Sequence, residues 1–111
     1  MTDRVIDTKT VTITSDSLQI DAYLAKPQGE GSYPGIVVLQ EIFGVNAHIQ
    51  EVTERVANLG YIAIAPALFQ RQAPGFATGY TPEDIELGRN YAWGQTKASE
   101  LLRDIQSAID Y

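Results

Sequence analysis

Two apolar runs separated by an amphipathic stretch constrain the fold of this chain most strongly. The first run, Ile36–Leu39, is continuous and rich in β-branched residues, as expected of a strand covered on both faces. The second run, Tyr61–Ala65, has the same character and is ended by Pro66. The stretch between them has helical periodicity. This order predicts two parallel strands joined by a right-handed helical crossover, and therefore an α/β fold.

The helix between the two runs has clear start and stop signals. Asn46 is a suitable N-cap, and Gly60 is a typical C-terminal stop. Four apolar residues fall on one stripe of this helix: Ile49, Val52, Val56 and Leu59. We expect that stripe to pack on the sheet.

The flanking segments add a hairpin and two helices. Alternation over Lys9–Thr14 and Leu18–Leu24, with turn residues between them, predicts an antiparallel hairpin. After a long loop over residues 69–80, Thr81 and Pro82 begin a helix that Gly94 interrupts. The last helix is expected to bury one apolar face: Ala98, Leu101, Leu102, Ile105, Ala108 and Ile109.

These elements make only part of an α/β sheet. Two of the four predicted strands are parallel, and such a sheet normally continues with further strands. We therefore expect residues 1–111 to be a single segment, the N-terminal half of a larger α/β domain that is truncated at Tyr111. An unpaired strand is an aggregation hazard, so a chain of this length is expected to form a homodimer through its exposed sheet edge.

Composition and charge limit the classes of binding partner and the cellular location that can be expected. The 111 residues are 44% hydrophobic and 20% charged, with a formal net charge of -6, which is an ordinary globular balance. Because Lys and Arg form no cluster, neither nucleic acid nor an anionic membrane surface is an expected partner. The longest apolar runs span only a few residues, and the polar start lacks the apolar core of a signal peptide. We expect no membrane span and a cytoplasmic location.

Common catalytic and nucleotide-binding signatures are missing. There is no Gly-x-Ser-x-Gly, no Gly-x-Gly-x-x-Gly and no phosphate loop of the Walker type. Cysteine is absent, which excludes a cysteine nucleophile and thiolate metal ligands within these residues. His48 and Glu51 have i, i+3 spacing, but two ligands are too few for a metal site. We expect no metal and no organic cofactor.

The segment that follows the first buried strand holds the best candidates for chemistry. Glu41 lies near the carboxyl end of that strand, where ligands bind in open α/β sheets. Its carboxylate is expected to be partly desolvated, and it either acts chemically or pairs with Arg71 or a backbone amide. Arg71 either grips a substrate carboxylate or is a solvated loop residue. Six aromatic residues either line a pocket or pack in the core: Phe43, Phe69, Phe76, Tyr80, Tyr91 and Trp93.

The segment Ile36–Asn46, with its run Gln-Glu-Ile-Phe-Gly, resembles the signature of the dienelactone hydrolases (carboxymethylenebutenolidases). The spacing to Gly60–Phe69 and the run Arg71–Gly75 fit that family too, so the resemblance covers nearly the whole chain. It implies an α/β-hydrolase fold and an enzyme that opens lactone or ester bonds in small, often carboxylated substrates. The implied catalytic group is a cysteine-histidine-aspartate triad.

The resemblance also implies roles for individual residues. Glu41 corresponds to the glutamate that holds and activates the thiol, and the Ile42 backbone N–H to an oxyanion-hole donor. Arg71 corresponds to an arginine that binds the substrate carboxylate, and Phe43, in the same motif, is expected beside the substrate. The family's nucleophile lies downstream of the last helix seen here, so the isolated chain is predicted to be inactive.

Two other functions stay open from the sequence. One is a non-catalytic module that holds a small acid at the edge formed by Glu41 and Arg71. The other is a complete flavodoxin-like or nucleotide-binding domain, which is disfavoured because no glycine-rich phosphate loop follows either parallel strand. Ligand binding that is lost in Arg71→Ala favours the binding module, whereas lactone hydrolysis by a longer chain favours the enzyme.

Overall fold

The computed structural model describes residues 5–15, 18–29, 31–69, 73, 75–95 and 97–111, with the backbone alone for 93–95. Four strands and three α-helices follow one another along the chain. They are β1 (Ile6–Ser15), β2 (Leu18–Pro27), β3 (Gly35–Val37), α1 (Ala47–Asn58), β4 (Ile62–Pro66), α2 (Pro82–Arg89) and α3 (Ala98–Asp110). A π-helical turn over Asn90–Gln95 separates α2 from α3.

The strands form one mixed sheet in the order β1-β2-β4-β3. β1 and β2 pair antiparallel over their full length, which confirms the predicted hairpin and extends both of its strands. β3 and β4 pair parallel, as predicted for two strands joined by a helical crossover. Residues 16 and 17 of the predicted hairpin turn lie outside the described residues.

The first apolar run packs on both faces of the sheet, as predicted, but its strand is shorter than predicted. Ile36 and Val38 pack on the α1 side of the sheet, and Val37 packs on the α3 side. β3 has only three residues and is an outer strand of the described sheet. Ile36 and Val37 are only half-buried, and Leu39 is exposed. β4 is more deeply buried than β3, because β2 and β3 pair with its two edges and helices pack on both of its faces.

The two faces of the sheet carry different helices, as predicted. Along β4 the side chains alternate, so Ala63 and Ala65 pack in one cluster with Ile49 of α1. Ile64 points to the opposite face and packs in a second cluster with Ala108 of α3. The hairpin supplies the rest of this second cluster, which contains Ile13, Ile20, Ala22 and Leu24.

Helix α1 confirms both predicted end signals but not the whole predicted stripe. The Asn46 side chain caps the first turn, and Gly60 takes a φ of 104° just after the helix. The residue expected at the end of the stripe, Leu59, is 65% exposed because it lies at the C-cap, beyond the turns that reach the sheet. Thr53 is buried instead, and its hydroxyl donates a 2.7 Å hydrogen bond to the Ile49 carbonyl.

Helix α3 is rotated relative to the predicted apolar face. Asp104 and Ala108 are its buried residues, with Leu101 and Ile105 half-buried beside them. The other three predicted members, Ala98, Leu102 and Ile109, are exposed. The reason is a polar contact that the apolar pattern does not reveal. The Ser15 hydroxyl of β1 donates a 2.6 Å hydrogen bond to Asp104, which draws that side of the helix to the sheet.

Helix α2 begins where the sequence predicts. The Thr81 hydroxyl accepts a 3.1 Å hydrogen bond from the Asp84 N–H, and Pro82 occupies the first turn. The predicted interruption at Gly94 falls in the π-helical turn. These elements place the segment after β3 between β4, α2 and the loop that precedes α2.

Candidate active site

A tight turn over Glu41–Gly44 follows β3 and forms the centre of the candidate site. The Gly44 N–H donates to the Glu41 carbonyl at 3.3 Å, which closes the turn. The Thr78 N–H donates to the Phe43 carbonyl at 2.8 Å, and Gly44 pairs with Ala77 in an isolated bridge. Backbone hydrogen bonds from two separate segments therefore hold the turn in one conformation.

The Gln40 side chain ties this turn to the end of β4. Its Oε1 accepts a 2.8 Å hydrogen bond from the Leu68 N–H, and its Nε2 donates to the Glu41 carbonyl at 3.2 Å. The Glu41 carbonyl thus accepts from both Gln40 and Gly44. Sequence reasoning assigned Gln40 no role, because both partners are backbone atoms that no side-chain pattern reveals.

Gly44 is required by space and by backbone conformation. Its φ is 79°, in the left-handed region where glycine carries no steric penalty. A Cβ at this position would lie 2.0 Å from the Phe76 carbonyl oxygen. The turn and the loop that contains Phe76 therefore approach more closely than any other residue type allows.

Asn46 joins the site to both α1 and the following loop. Its Oδ1 caps α1 by accepting from the Ile49 N–H at 3.2 Å. Its Nδ2 donates to the Thr78 carbonyl at 2.8 Å and lies 3.4 Å from the Tyr80 hydroxyl. The sequence predicts the cap but not the two loop contacts, since Thr78 and Tyr80 stand more than thirty positions away.

The Glu41 side chain is exposed, so the expectation of a partly desolvated carboxylate is wrong for this 111-residue chain. The cause is the position of β3 at the edge of the described sheet, which leaves one side of the turn uncovered. Within the described residues the carboxylate makes neither an ion pair nor a hydrogen bond to a backbone amide. The alternative partner, Arg71, lies outside the described residues, as do the contacts predicted for it.

The Ile42 N–H is an available hydrogen-bond donor in this turn. Among the described residues it donates to no backbone carbonyl, although the neighbouring amides of Gly44 and Thr78 are both bonded. A cavity of about 250 Å³ opens beside Glu41 and Ile42. Its other lining residues are Leu39, Gln40, Leu68, Phe69, Ala92, Leu101 and Ile105.

The aromatic residues pack mainly with one another. The Phe43 ring meets Tyr80 edge to face, with centroids 4.5 Å apart. Phe69, Phe76 and Tyr91 form a cluster with centroid separations of 5.0 to 5.7 Å. Each of these five rings therefore packs against another aromatic ring, and Phe69 also lines the cavity beside Glu41 and Ile42. The Trp93 side chain lies outside the described part.

The described residues contain no group of three or more His, Cys, Asp or Glu side chains that could hold a metal ion. His48 and Glu51 both lie exposed on α1. Within the same residues, every helix is too short or too polar to span a membrane.

Comparison with known proteins shows which protein family this chain belongs to. The sequence profile of the Dienelactone hydrolase family matches residues 20–111. The chain belongs to this family. A Synechocystis protein provisionally named carboxymethylenebutenolidase is 58% identical over 106 residues, which cover 96% of this chain. A Yersinia pestis protein with the same provisional name is 53% identical over 62 residues, covering 55% of this chain and 23% of its own.

A solved structure shows the same fold. A protein from Klebsiella pneumoniae, provisionally described as a dienelactone hydrolase, superposes with a TM-score of 0.79 at 30% identity, covering 96% of this chain. The described sheet and helices therefore have the architecture of the N-terminal part of an α/β-hydrolase domain. The chain spans 43% of the length of the Synechocystis relative and 43% of the Klebsiella structure.

Proposed function

We propose that this chain is the N-terminal part of an ester or lactone hydrolase that acts on small carboxylated substrates. The observation that carries the proposal is the Ile42 N–H, which donates to no backbone carbonyl among the described residues. It lies in a turn held from both sides, next to the Glu41 carboxylate. A donor fixed before the reaction stabilises a developing oxyanion without reorganisation, which is a large part of catalysis in acyl transfer. Membership of the dienelactone hydrolase family supports this class of chemistry.

In this proposal each site residue has one role. The Ile42 N–H donates to the oxygen that becomes negative when the ester or lactone carbonyl is attacked. The Glu41 carboxylate accepts a hydrogen bond from the attacking thiol and keeps it ready to lose its proton. Arg71 binds the substrate carboxylate with its guanidinium, and Phe43 packs beside the substrate.

The nucleophile is proposed to come from residues that follow this chain in the gene product. Cysteine is absent from residues 1–111, and their one histidine, His48, lies exposed on α1. The matched relatives are more than twice as long, which leaves room for a cysteine-histidine-aspartate triad. The cytoplasmic location expected from the sequence stays a prediction.

The test is hydrolysis of a carboxymethylene-substituted butenolide and of phenyl acetate by the gene product in its full natural length. Glu41→Gln is expected to lower kcat/KM by about 100-fold or more, the scale of a lost catalytic proton acceptor. Glu51→Gln is the matched control, because Glu51 is also exposed but pairs with Arg55 on α1. Full activity in Glu41→Gln contradicts the proposed role, and an inactive full-length protein contradicts the proposed function.

Residues 1–111 alone are expected to show no turnover. Turnover by this material would show that the triad is not needed. If the full-length protein binds a carboxylated lactone without hydrolysing it, and Arg71→Ala abolishes that binding, the chain is a binding module instead.

A further inference from the structure

Helix α2 packs on the candidate site through Gly88. Gly88 is the buried residue of that helix, and it packs directly on the backbone of Ile42. A Cβ on Gly88 would lie 2.2 Å from the Ile42 carbonyl oxygen and 2.9 Å from its carbonyl carbon. Real side chains do not approach this closely, so only glycine permits the contact.

Glycine is needed at position 88 because there is no room for a Cβ, and not because the backbone conformation requires it. Gly88 lies within α2 and is not among the glycines with a positive φ. Glycine in a helix interior is less favourable than alanine by about 1 kcal/mol. The close approach to Ile42 is therefore the feature that accounts for glycine at this position.

Gly88 completes the fixation of the Ile42 backbone. The Ile42 N–H belongs to the peptide that joins Glu41 to Ile42. The carbonyl of that peptide, the Glu41 carbonyl, accepts hydrogen bonds from the Gln40 side chain and from the Gly44 N–H. On the other side of the Ile42 Cα, the Ile42 carbonyl rests against Gly88. Because both adjoining peptide planes are constrained, the direction of the N–H is constrained too.

We propose that Gly88 is a positioning residue that sets the direction of the Ile42 N–H toward the substrate oxygen. This inference rests on the proposed hydrolase function. An added methyl group must push α2 and the Ile42 carbonyl apart, because 2.2 Å is far below van der Waals contact. The displacement turns the Ile42 peptide and weakens its hydrogen bond to the developing oxyanion.

The decisive readout compares phenyl acetate with O-phenyl thionoacetate in the full-length gene product. Sulfur is a weak hydrogen-bond acceptor, so the thionoester depends much less on an oxyanion donor. The ratio of the two kcat/KM values does not depend on the fraction of folded enzyme. A variant that is merely less stable therefore leaves the ratio unchanged.

Gly88→Ala is expected to lower kcat/KM for the ester by about 10-fold or more and to lower the ester-to-thionoester ratio similarly. Gly79→Ala is the matched control, because a Cβ there would meet its nearest atom at an ordinary 3.6 Å. Its ratio should equal that of the wild type. An unchanged ratio in Gly88→Ala overturns the inference while leaving the proposed function intact.

A second variant covers the case in which Gly88→Ala does not fold. Thr81→Ala removes the N-cap of α2 and loosens that helix without adding a clash. It is expected to lower the same ratio by about threefold, since partial misplacement of a catalytic donor reduces the rate. An unchanged ratio here also overturns the role of α2, and a wild type that hydrolyses neither ester removes this inference together with the proposed function.

Discussion

The Ser15 hydroxyl donates a 2.6 Å hydrogen bond to the Asp104 carboxylate, although the two residues stand 89 positions apart. Both are buried, with Ser15 fully covered and Asp104 1% exposed. The bond joins the end of β1 to the middle of α3. A polar pair therefore helps to hold α3 on a sheet face that also carries an apolar cluster.

Asp104→Ala is expected to lower the free energy of unfolding by about 2 kcal/mol, since it leaves the buried Ser15 hydroxyl without its acceptor. Ser15→Ala should lower it by about 1 kcal/mol, because Asp104 keeps a further interaction. Urea denaturation measures both values. Asp110→Ala is the control on the same helix, where an exposed carboxylate accepts from Gln106 and little change is expected. Equal losses at positions 104 and 110 would contradict the structural role of the Ser15–Asp104 pair.

Alanine variants of Gly44 and Gly75 distinguish the cost of backbone strain from the cost of a steric clash at the added Cβ. Their φ angles are 79° and 76°, so alanine meets the same left-handed backbone at both positions. A Cβ would lie 2.0 Å from the Phe76 carbonyl at Gly44, but it would have no atom within 4 Å at Gly75. Gly75→Ala is expected to lower the free energy of unfolding by about 1 kcal/mol, and Gly44→Ala by about 3 kcal/mol or more. Thermal and urea unfolding measure the difference, and similar losses would show that the turn can move away from Phe76.

The raised pKa of Tyr23 predicts that the free energy of unfolding depends on pH in the alkaline range. Burial raises the pKa of Tyr23 above its ordinary value near 10, and the adjacent Glu54 carboxylate adds to this against an opposing hydrogen bond with Thr8. Folding thus favours the neutral phenol. The resulting stability is fully present below pH 10 and is lost as the pH rises through the folded-state pKa.

The measurement is urea unfolding at pH 8 and at pH 11. From pH 8 to pH 11, the free energy of unfolding is expected to fall more in the wild type than in Tyr23→Phe. The variant also lacks the 3.0 Å hydrogen bond from the Tyr23 hydroxyl to Glu54. Tyr33→Phe controls for the loss of any one tyrosine. The same pH dependence in the wild type and in Tyr23→Phe would rule out the contribution of Tyr23.

The outer edge of β3 predicts self-association of the isolated 111-residue chain. The Val38 N–H donates to Ile64 in β4, so by alternation the Val37 N–H faces away from β4. Among the described residues no strand pairs with that edge. Sedimentation velocity should therefore show concentration-dependent dimers or larger species. Val37→Pro removes the outward donor and should shift the material toward monomer, whereas association unchanged by Val37→Pro would place the contact elsewhere.

Local signals in the sequence were enough to predict the helix caps, the hairpin and the crossover. Asn46 and Thr81 cap their helices through bonds to residues three positions away, and Gly60 ends α1 through its own backbone angle. The hairpin and the parallel crossover follow from periodicity, because alternation is typical of strands and a spacing of three to four residues is typical of helices. The motif around Glu41 and Ile42 likewise identified the segment that forms the candidate site.

Only the tertiary structure decided the features that depend on distant partners. The place of β3 at the edge follows from which strands pair with β4, and the burial of Asp104 depends on Ser15 of β1. The contacts of Gly44 with Phe76 and of Gly88 with Ile42 are distances between backbones from different elements. The sequence by itself thus determined the elements, both ends of α1, the start of α2 and the position of the motif. Packing decided how the motif is held, because close approach and burial are properties of residue pairs that lie far apart along the chain.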